Sequence, residues 1–320
     1  MLTPVDQHPR PRVGAVVVFY HPDDGCVERA NRLADQCTCV VVDNTPAIAD
    51  TPAMDGLSPT VHYLPNGANV GIATALNQGV ERLLATGCDA ALLFDQDSEP
   101  DARLIAEMPA LLFDGVGTNE KKIALVGPAY EDMRLRGVAP FVRFDMWGIK
   151  RVVPEGNQLL DVDFLITSGS CINLHAWQAV GPMDDALFID FVDLEWCVRA
   201  RTTGHRVVGV PWLRMRHELG DTPIKVFGRA YPMHSPIRHY YAFRNAVVLF
   251  GRGYIPIGWK LSEMIKLPVR LVIYALFIPD GMTHVRMSLR GVRDGLCGRL
   301  GPLDASASTP SSEATVKRRQ

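Results

Sequence analysis

The sequence predicts an α/β fold, a mostly parallel sheet flanked by helices, and three observations carry that prediction. Short apolar, β-branched runs alternate with helix-patterned stretches through the first hundred residues, separated by short polar loops. Acidic and amide residues gather where those apolar runs end, the rim at which open parallel sheets bind ligands. The chain is 320 residues long, 47% hydrophobic and 21% charged, enough to bury a substantial core.

The elements follow in order. "VGAVVVFY", residues 13 to 20, reads as a buried strand, and "HPDDG" as its turn. A helix is expected from about residue 27 to 36, then a second strand in "CTCVVVDN" ending at Asp43 and Asn44. "VHYLP" is a short third strand. The segment "NGANVGIATALNQGVERLLATG" is a glycine-bearing loop running into a helix, with Ile72, Leu76, Val80, Leu83 and Leu84 near one face. "DAALLFDQD" is the fourth strand and "KIALVGPAY" the fifth; the pattern is then loose to about residue 160. In "VDFLITSGSCINLHAWQAVG" an apolar strand is expected on each side of "TSGS", with a short helix from Ala176. A further helix should run from Val192 to Thr203, stopped by Gly204, and lead into a strand.

Composition narrows the partners. The formal net charge of −2 offers no overall basic field for nucleic acid, which leaves a small molecule or a membrane surface. The seven cysteines are odd in number and lack paired C-x-x-C spacing, as expected of reduced thiols in a cytosolic protein. The first twelve residues contain no apolar core of a secretory signal, and "LPVRLVIYALFIP", broken by Arg270, is shorter than a membrane-spanning helix needs.

Several residues are candidates for chemistry. Asp95 and Asp97 close the fourth strand as D-x-D, a pair of hard oxygen donors suited to a divalent cation that also binds substrate phosphates, though a polar turn favours the same residues. Asp43 is placed to accept hydrogen bonds from a ribose or a pyrimidine imide, or simply to close a turn. The first strand is followed by "HPDDG" and not by G-x-G-x-x-G, which disfavours nicotinamide and flavin folds. In "LFIDFVDLEW", Asp190 can cap a helix with Asp193 in its first turn, and one of Asp190, Asp193 and Glu195 can serve as a general base. His217 follows a strand, with Arg214 and Arg216 beside it, as a third metal ligand or a phosphate contact.

Taken together, "VGAVVVFYHP", "VVVDNTP", "NVGIATALNQGV", "LLFDQDSEP", "TSGSCINLHAWQAVGPMDDALFIDFVDLEWCVRARTTGHRV" and "MRHELGD" resemble, in order, the inverting nucleotide-sugar glycosyltransferases of family 2, with the GT-A fold. The later blocks are most similar to bacterial rhamnosyltransferases of surface-polysaccharide assembly. The resemblance implies that His21, Asp23 and Asp43 contact the donor nucleoside, that Asn69 and Gly71 lie near its sugar and phosphates, and that Asp95, Asp97 and His217 hold Mg2+ or Mn2+. It implies Asp193 as the catalytic carboxylate, with Asp190 and Glu195 as alternates because Val192 stands where the family's motif has a second acid. Ser168, Gly169 and Trp196 would line the acceptor side. The implied reaction moves a sugar, with dTDP-L-rhamnose the leading donor and UDP-sugars behind it, to a hydroxyl of a lipid-linked or polysaccharide acceptor.

The resulting domain reading is an N-terminal segment at 1–12, a GT-A domain at 13–233, a helical extension at 234–301 and a disordered tail at 302–320. The extension mixes arginine and lysine with apolar and aromatic residues. It suits helices packed on the catalytic domain, a surface lying on the inner face of the cytoplasmic membrane, or a homo-oligomer contact. Two rivals remain: a sugar nucleotidyltransferase, which would need a Gly-rich basic loop after the first strand, and a non-catalytic nucleotide-sugar-binding module.

Overall fold

The structure, a computed structural model, describes residues 11–46, 55–113, 122–132, 137–216, 221–226 and 229–303. The elements in chain order are β1 (Val13–Phe19), α1 (Asp24–Ala34), β2 (Thr38–Asp43), β3 (His62–Pro65), α2 (Ile72–Ala85), β4 (Ala90–Asp95), α3 (Ala102–Phe113) and β5 (Ile123–Asp132). They continue with β6 (Gly137–Val138), β7 (Phe141–Phe144), β8 (Ile149–Val152), β9 (Leu160–Asp161), β10 (Cys171–Asn173), α4 (Leu174–Val180), a 3-10 turn (Asp185–Leu187) and α5 (Val192–Thr202). The chain then forms β11 (Arg206–Arg216), β12 (Asp221–Val226), β13 (Arg229–Met233), α6 (Pro236–Phe250), α7 (Ile257–Phe277) and α8 (Gly281–Leu296).

The main sheet runs β3-β2-β1-β4-β10-β5-β11-β9, with β6 beside β5. Neighbours from β3 to β4 are parallel, as are β5 and β11, while β10 is antiparallel to both β4 and β5. This is the mostly parallel α/β sheet expected. Alternation along β1 feeds two cores. Val16 and Val18 pack with Leu76, Val80 and Leu83 of α2 on one face; Ala15, Val17 and Phe19 pack with Leu33 of α1 and with Leu104 and Met108 of α3 on the other. Burying an apolar side chain of this size contributes about 1.5–3 kcal/mol before chain entropy is set against it.

Some local expectations need correction. Residues 162–166 do not form the strand expected before "TSGS". The N–H of Val162 bonds to Val207 while that of Asp163 bonds to Val142, so the segment is divided between two partners and builds no ladder. The helix after β10 begins at Leu174, earlier than Ala176, because the Asn173 side chain caps it by accepting from the N–H groups of His175 and Ala176. α1 likewise starts at Asp24, capped by Asp23. α3 was not anticipated: Pro109 breaks its pattern, yet Asp101 Oδ1 accepts from Leu104 N–H at 2.8 Å and starts it.

The C-terminal helices pack on the sheet domain through α5. Leu194 and Val198 of α5 share a core with Phe243 and Leu249 of α6 and Trp259 and Leu267 of α7. Residues at the start of the expected tail are anchored here, since the Leu303 N–H donates to Tyr241 Oη at 2.7 Å; residues 304–320 lie outside the described residues.

Candidate active site

Because β2, β1 and β4 are adjacent and parallel, the loops leaving their carboxyl ends converge. Asp43, the last residue of β2, is buried with both carboxylate oxygens partnered: Oδ2 accepts from Tyr63 Oη and Oδ1 from the Thr45 N–H, each at 2.8 Å. Burial first, and then Asp43 beside it, push the Tyr63 phenol well up, so it stays a donor. His21 is exposed, with φ of 49°, and its N–H donates to Thr45 Oγ1 at 2.8 Å. Asp23 is exposed and caps α1, its carboxyl held below the ordinary range mainly by the hydrogen bond from Cys26. Gln96, which sequence reasoning passed over, ties two loops together. Its Oε1 accepts from the Tyr20 N–H at 2.7 Å, and its carbonyl accepts from Arg29 Nε at 2.9 Å.

Asn69 and Gly71 bridge toward the second acidic cluster. Asn69 Oδ1 accepts from the Gly71 N–H at 3.0 Å, and the Ile72 N–H donates to the Phe188 carbonyl at 2.8 Å. Gly71 has φ of 86°, and a Cβ there would lie 2.6 Å from that carbonyl oxygen, so only glycine fits.

The loop after the 3-10 turn holds an unusual backbone. Phe188, Asp190 and Phe191 have φ of 65°, 64° and 64°, a conformation that costs about 1 kcal/mol or more for each non-glycine residue. The surrounding α6 holds it. Asn245 Nδ2 reaches the carbonyls of Leu187, Ile189 and Asp190 at 2.9, 2.7 and 3.0 Å, and Arg244 Nη2 donates to those of Ala186 and Leu187 at 3.2 and 2.8 Å. Both side chains are fully buried. Asp190 does not cap α5 as expected, because Phe191 occupies that position without a side-chain cap. Asp190 Oδ1 instead accepts from Arg238 Nε at 3.2 Å, and its buried Oδ2 has no hydrogen-bond partner among the described residues.

A cavity of about 390 Å³ joins the two acidic clusters, lined by Ile72, Asp95, Ser168, Asp190, Asp193 and Arg238 among others. Asp193 stands in the first turn of α5. Burial pushes its carboxyl up to about 6; the neighbouring charges of Asp190 and Asp95 act in the same direction, and the Leu194 N–H, 2.8 Å from Oδ1, opposes them. Ser168 Oγ lies 2.8 Å from Ser98 Oγ and accepts from the Asp95 N–H at 3.3 Å, and its carbonyl accepts from Tyr130 Oη at 2.6 Å. Gly169, φ 76°, follows it and bonds its N–H to the Leu93 carbonyl at 2.7 Å.

Not every candidate meets there. Glu195 faces away into a charge network, accepting from Arg199 Nε at 2.8 Å and from Tyr254 Oη at 2.5 Å, with Arg252 3.5 Å away. Trp196 is fully buried, stacked on Trp177, and donates to the Gly181 carbonyl at 2.9 Å. Asp97 is exposed in the turn after β4, and His217 lies outside the described residues. Arg238 was missed: nothing in its local sequence shows that α6 would bring it against Asp190.

Asp95 and Asp97 supply hard oxygen donors at an open rim, which fits a Mg2+ or Mn2+ ion completing its shell with substrate phosphates. Among the described residues no cluster of three His, Cys, Asp or Glu side chains is arranged to hold a metal by itself.

A mostly parallel sheet with an acidic strand end facing an acidic helix start across one cavity is the arrangement of the GT-A fold, and the chain is similar over most of its length to a glycosyltransferase. It is 28% identical over 294 residues to the dTDP-rhamnosyl transferase RfbF of Shigella flexneri, covering 90% of this chain and 96% of that one. No protein-family model matches. Among solved structures, GalNAc-T7 with UDP, GalNAc and Mn2+ superposes with a TM-score of 0.51 at 13% identity, over 89% of this chain. The chain spans 56% of the length of that protein. S. aureus TarS 1-349 in complex with UDP-GlcNAc gives a TM-score of 0.52 at 12% identity, over 89% of this chain and 80% of that one. At such identities these likenesses speak for the fold alone.

Proposed function

We propose that this chain is an inverting rhamnosyltransferase that moves L-rhamnose from dTDP-L-rhamnose to a hydroxyl of a lipid-linked or polysaccharide acceptor on the cytoplasmic side. One observation carries the reading: Asp193, with a carboxyl pushed up to about 6, shares a cavity with Asp95 at the end of β4. The similarity to RfbF supports the choice of sugar and nucleotide.

An alcohol has a pKa far above neutral, so its attack needs a carboxylate within reach to take the proton. Asp193 fills that role, ionised near neutral pH yet more basic than an ordinary aspartate. Asp190, held by Arg238 through one oxygen, lines the same cavity and adds negative charge beside Asp193. Asp43 and the loop at His21 receive the nucleoside, and the diphosphate lies between Asn69–Gly71 and Asp95. Attack from the face opposite the departing diphosphate inverts the anomeric carbon. A divalent cation at Asp95 and Asp97 supplies charge stabilisation for the leaving diphosphate when bound. Ser168 and Gly169 form the acceptor side.

The test is release of nucleoside diphosphate by purified protein from a panel of nucleotide-sugars, with and without EDTA followed by Mg2+ or Mn2+. Turnover restricted to dTDP-L-rhamnose and restored by metal is expected, together with thermal stabilisation by that donor alone. Equal response to UDP-sugars would remove the rhamnosyl assignment, and turnover in EDTA would remove the cation.

A further inference from the structure

The outer face of α7 is apolar from end to end. Ile257, Leu261, Met264, Ile265, Val269, Val272 and Leu276 recur at helical spacing and are all exposed, Ile265 and Leu276 at 70%. At 1.5 Å per residue the 21-residue helix carries this stripe for about 30 Å, more apolar surface than a soluble monomer commonly shows. No charge interrupts it. Lys260, Glu263, Lys266 and Arg270 fall off the stripe, and Glu263 is buried and paired with Lys266 at 2.9 Å and Arg270 at 3.0 Å.

A second element adjoins it. The tip of the β7–β8 hairpin exposes Met146 and Trp147, the latter 83% exposed, and it packs on the first turn of α7. A Cβ at Gly258 would lie 2.9 Å from the Gly148 backbone nitrogen. The charge of the surrounding helices is one-sided. Residues 234–303 hold ten arginines and lysines against Glu263, Asp280 and Asp294, while the whole chain is −2. Of the ten, Arg244 is buried, and Arg238 and Arg252 pair with Asp190 and Asp184 outside this stretch. Arg286 and Arg293 of α8 are exposed alongside Met282 and Leu289.

We infer that this face lies in the interface of an anionic phospholipid membrane, with the α7 stripe and Trp147 at acyl-headgroup depth and the cations among the headgroups. A second copy is a poorer occupant, since a two-fold contact here would set the exposed Arg286 and Arg293 of each copy toward those of the other. Among the described residues no helix is long and apolar enough to cross a membrane, so the contact is a lying one. Resting on the proposed transfer reaction, it favours a lipid-linked acceptor, because α6, packed between α7 and the acidic loop, joins the bilayer face to the site.

Flotation of the purified full chain with phosphatidylglycerol–phosphatidylethanolamine vesicles, against phosphatidylcholine vesicles, tests this without any sugar donor. The expected result is binding to the anionic vesicles, weakened in high salt, and a loss of at least tenfold in Ile265→Glu/Val272→Glu. Trp147→Ala should give a smaller loss; all these positions are exposed, and circular dichroism checks folding. Equal flotation on neutral vesicles, or a double variant that floats like wild type, overturns the inference. So does a wild-type dimer, seen by light scattering, that the double variant splits while neither form binds vesicles. Because no donor is present, failure here leaves the rhamnosyl assignment standing, and failure of that assignment leaves vesicle binding unaffected.

Discussion

The rim at the ends of β1, β2 and β4 and the acidic loop before α5 both present carboxylates to one cavity, but they are held in different ways. Asp43 and Asp95 inherit their positions from strands buried on both faces, and their partners, Thr45 and Ser168 among them, belong to the sheet domain. Asp190 and Asp193 depend on three left-handed residues that α6 keeps in place from more than fifty positions away. The rim can be preorganised by the sheet alone; the acidic loop is only as good as its C-terminal brace. Function at the two sides should therefore break differently.

The largest effect should come from Asp193→Asn. It removes the proposed base while keeping shape, so kcat should fall by about 10²–10⁴-fold with donor binding little changed. In wild type, activity should drop as pH falls through about 6, where Asp193 takes up its proton. Stability moves the other way. The folded carboxyl titrates near 6 and the unfolded one near 4, so the unfolded state releases its proton first, and wild type loses stability as pH rises between those values. The asparagine variant should therefore be more stable than wild type above pH 6, by on the order of 2–3 kcal/mol, with the gap closing below pH 4. Denaturant melts at pH 4 and 8 read this directly; a variant less stable at pH 8 would mean Asp193 is not burdened by burial.

Next in size is Asn245→Ala, a change at a residue that does not itself line the cavity. It leaves the carbonyls of Leu187, Ile189 and Asp190 short of a donor and frees the strained loop. A loss of about 1–3 kcal/mol in stability is expected. A fall of about 10–10²-fold in kcat should accompany it through misplacement of Asp190 and Asp193. Unchanged kcat in a folded protein would show that the loop keeps its shape without α6.

How much was readable from sequence follows the same division. β1 to β5 and the acids closing β2 and β4 follow from local pattern, because a buried parallel strand is written in consecutive β-branched residues and its end in the first Asp or Asn, whereas the short β6 to β9 carry no such run. The acidic cluster was visible as a cluster, but its internal roles were not. Asp190 read as a cap until Phe191 took that place, and Glu195, two residues on from Asp193, faces Arg199 and Tyr254 in the opposite direction. Arg238, Arg244 and Asn245 looked like parts of a cationic, aromatic stretch because their meaning is wholly tertiary. Gln96 was hidden between two aspartates that drew the attention.

The smallest effect, and the sharpest separation of the two sides, should come from Tyr63→Phe. The variant removes one hydroxyl, leaving Asp43 with the Thr45 N–H and a vacant Oδ2 in a buried position. No strained segment depends on this bond and β3 keeps its ladder with β2, so the melting temperature should shift by no more than about 1–3 kcal/mol implies. If Asp43 meets the donor nucleoside, a looser or reoriented carboxylate raises the donor KM by about 3–10-fold while kcat holds, since binding is weakened equally in the ground and transition states. That pattern is the converse of the one expected at Asp193. A fall in kcat with KM unchanged would instead mean that the end of β2 supports the chemical step, and the division between a binding rim and a catalytic loop would have to be redrawn.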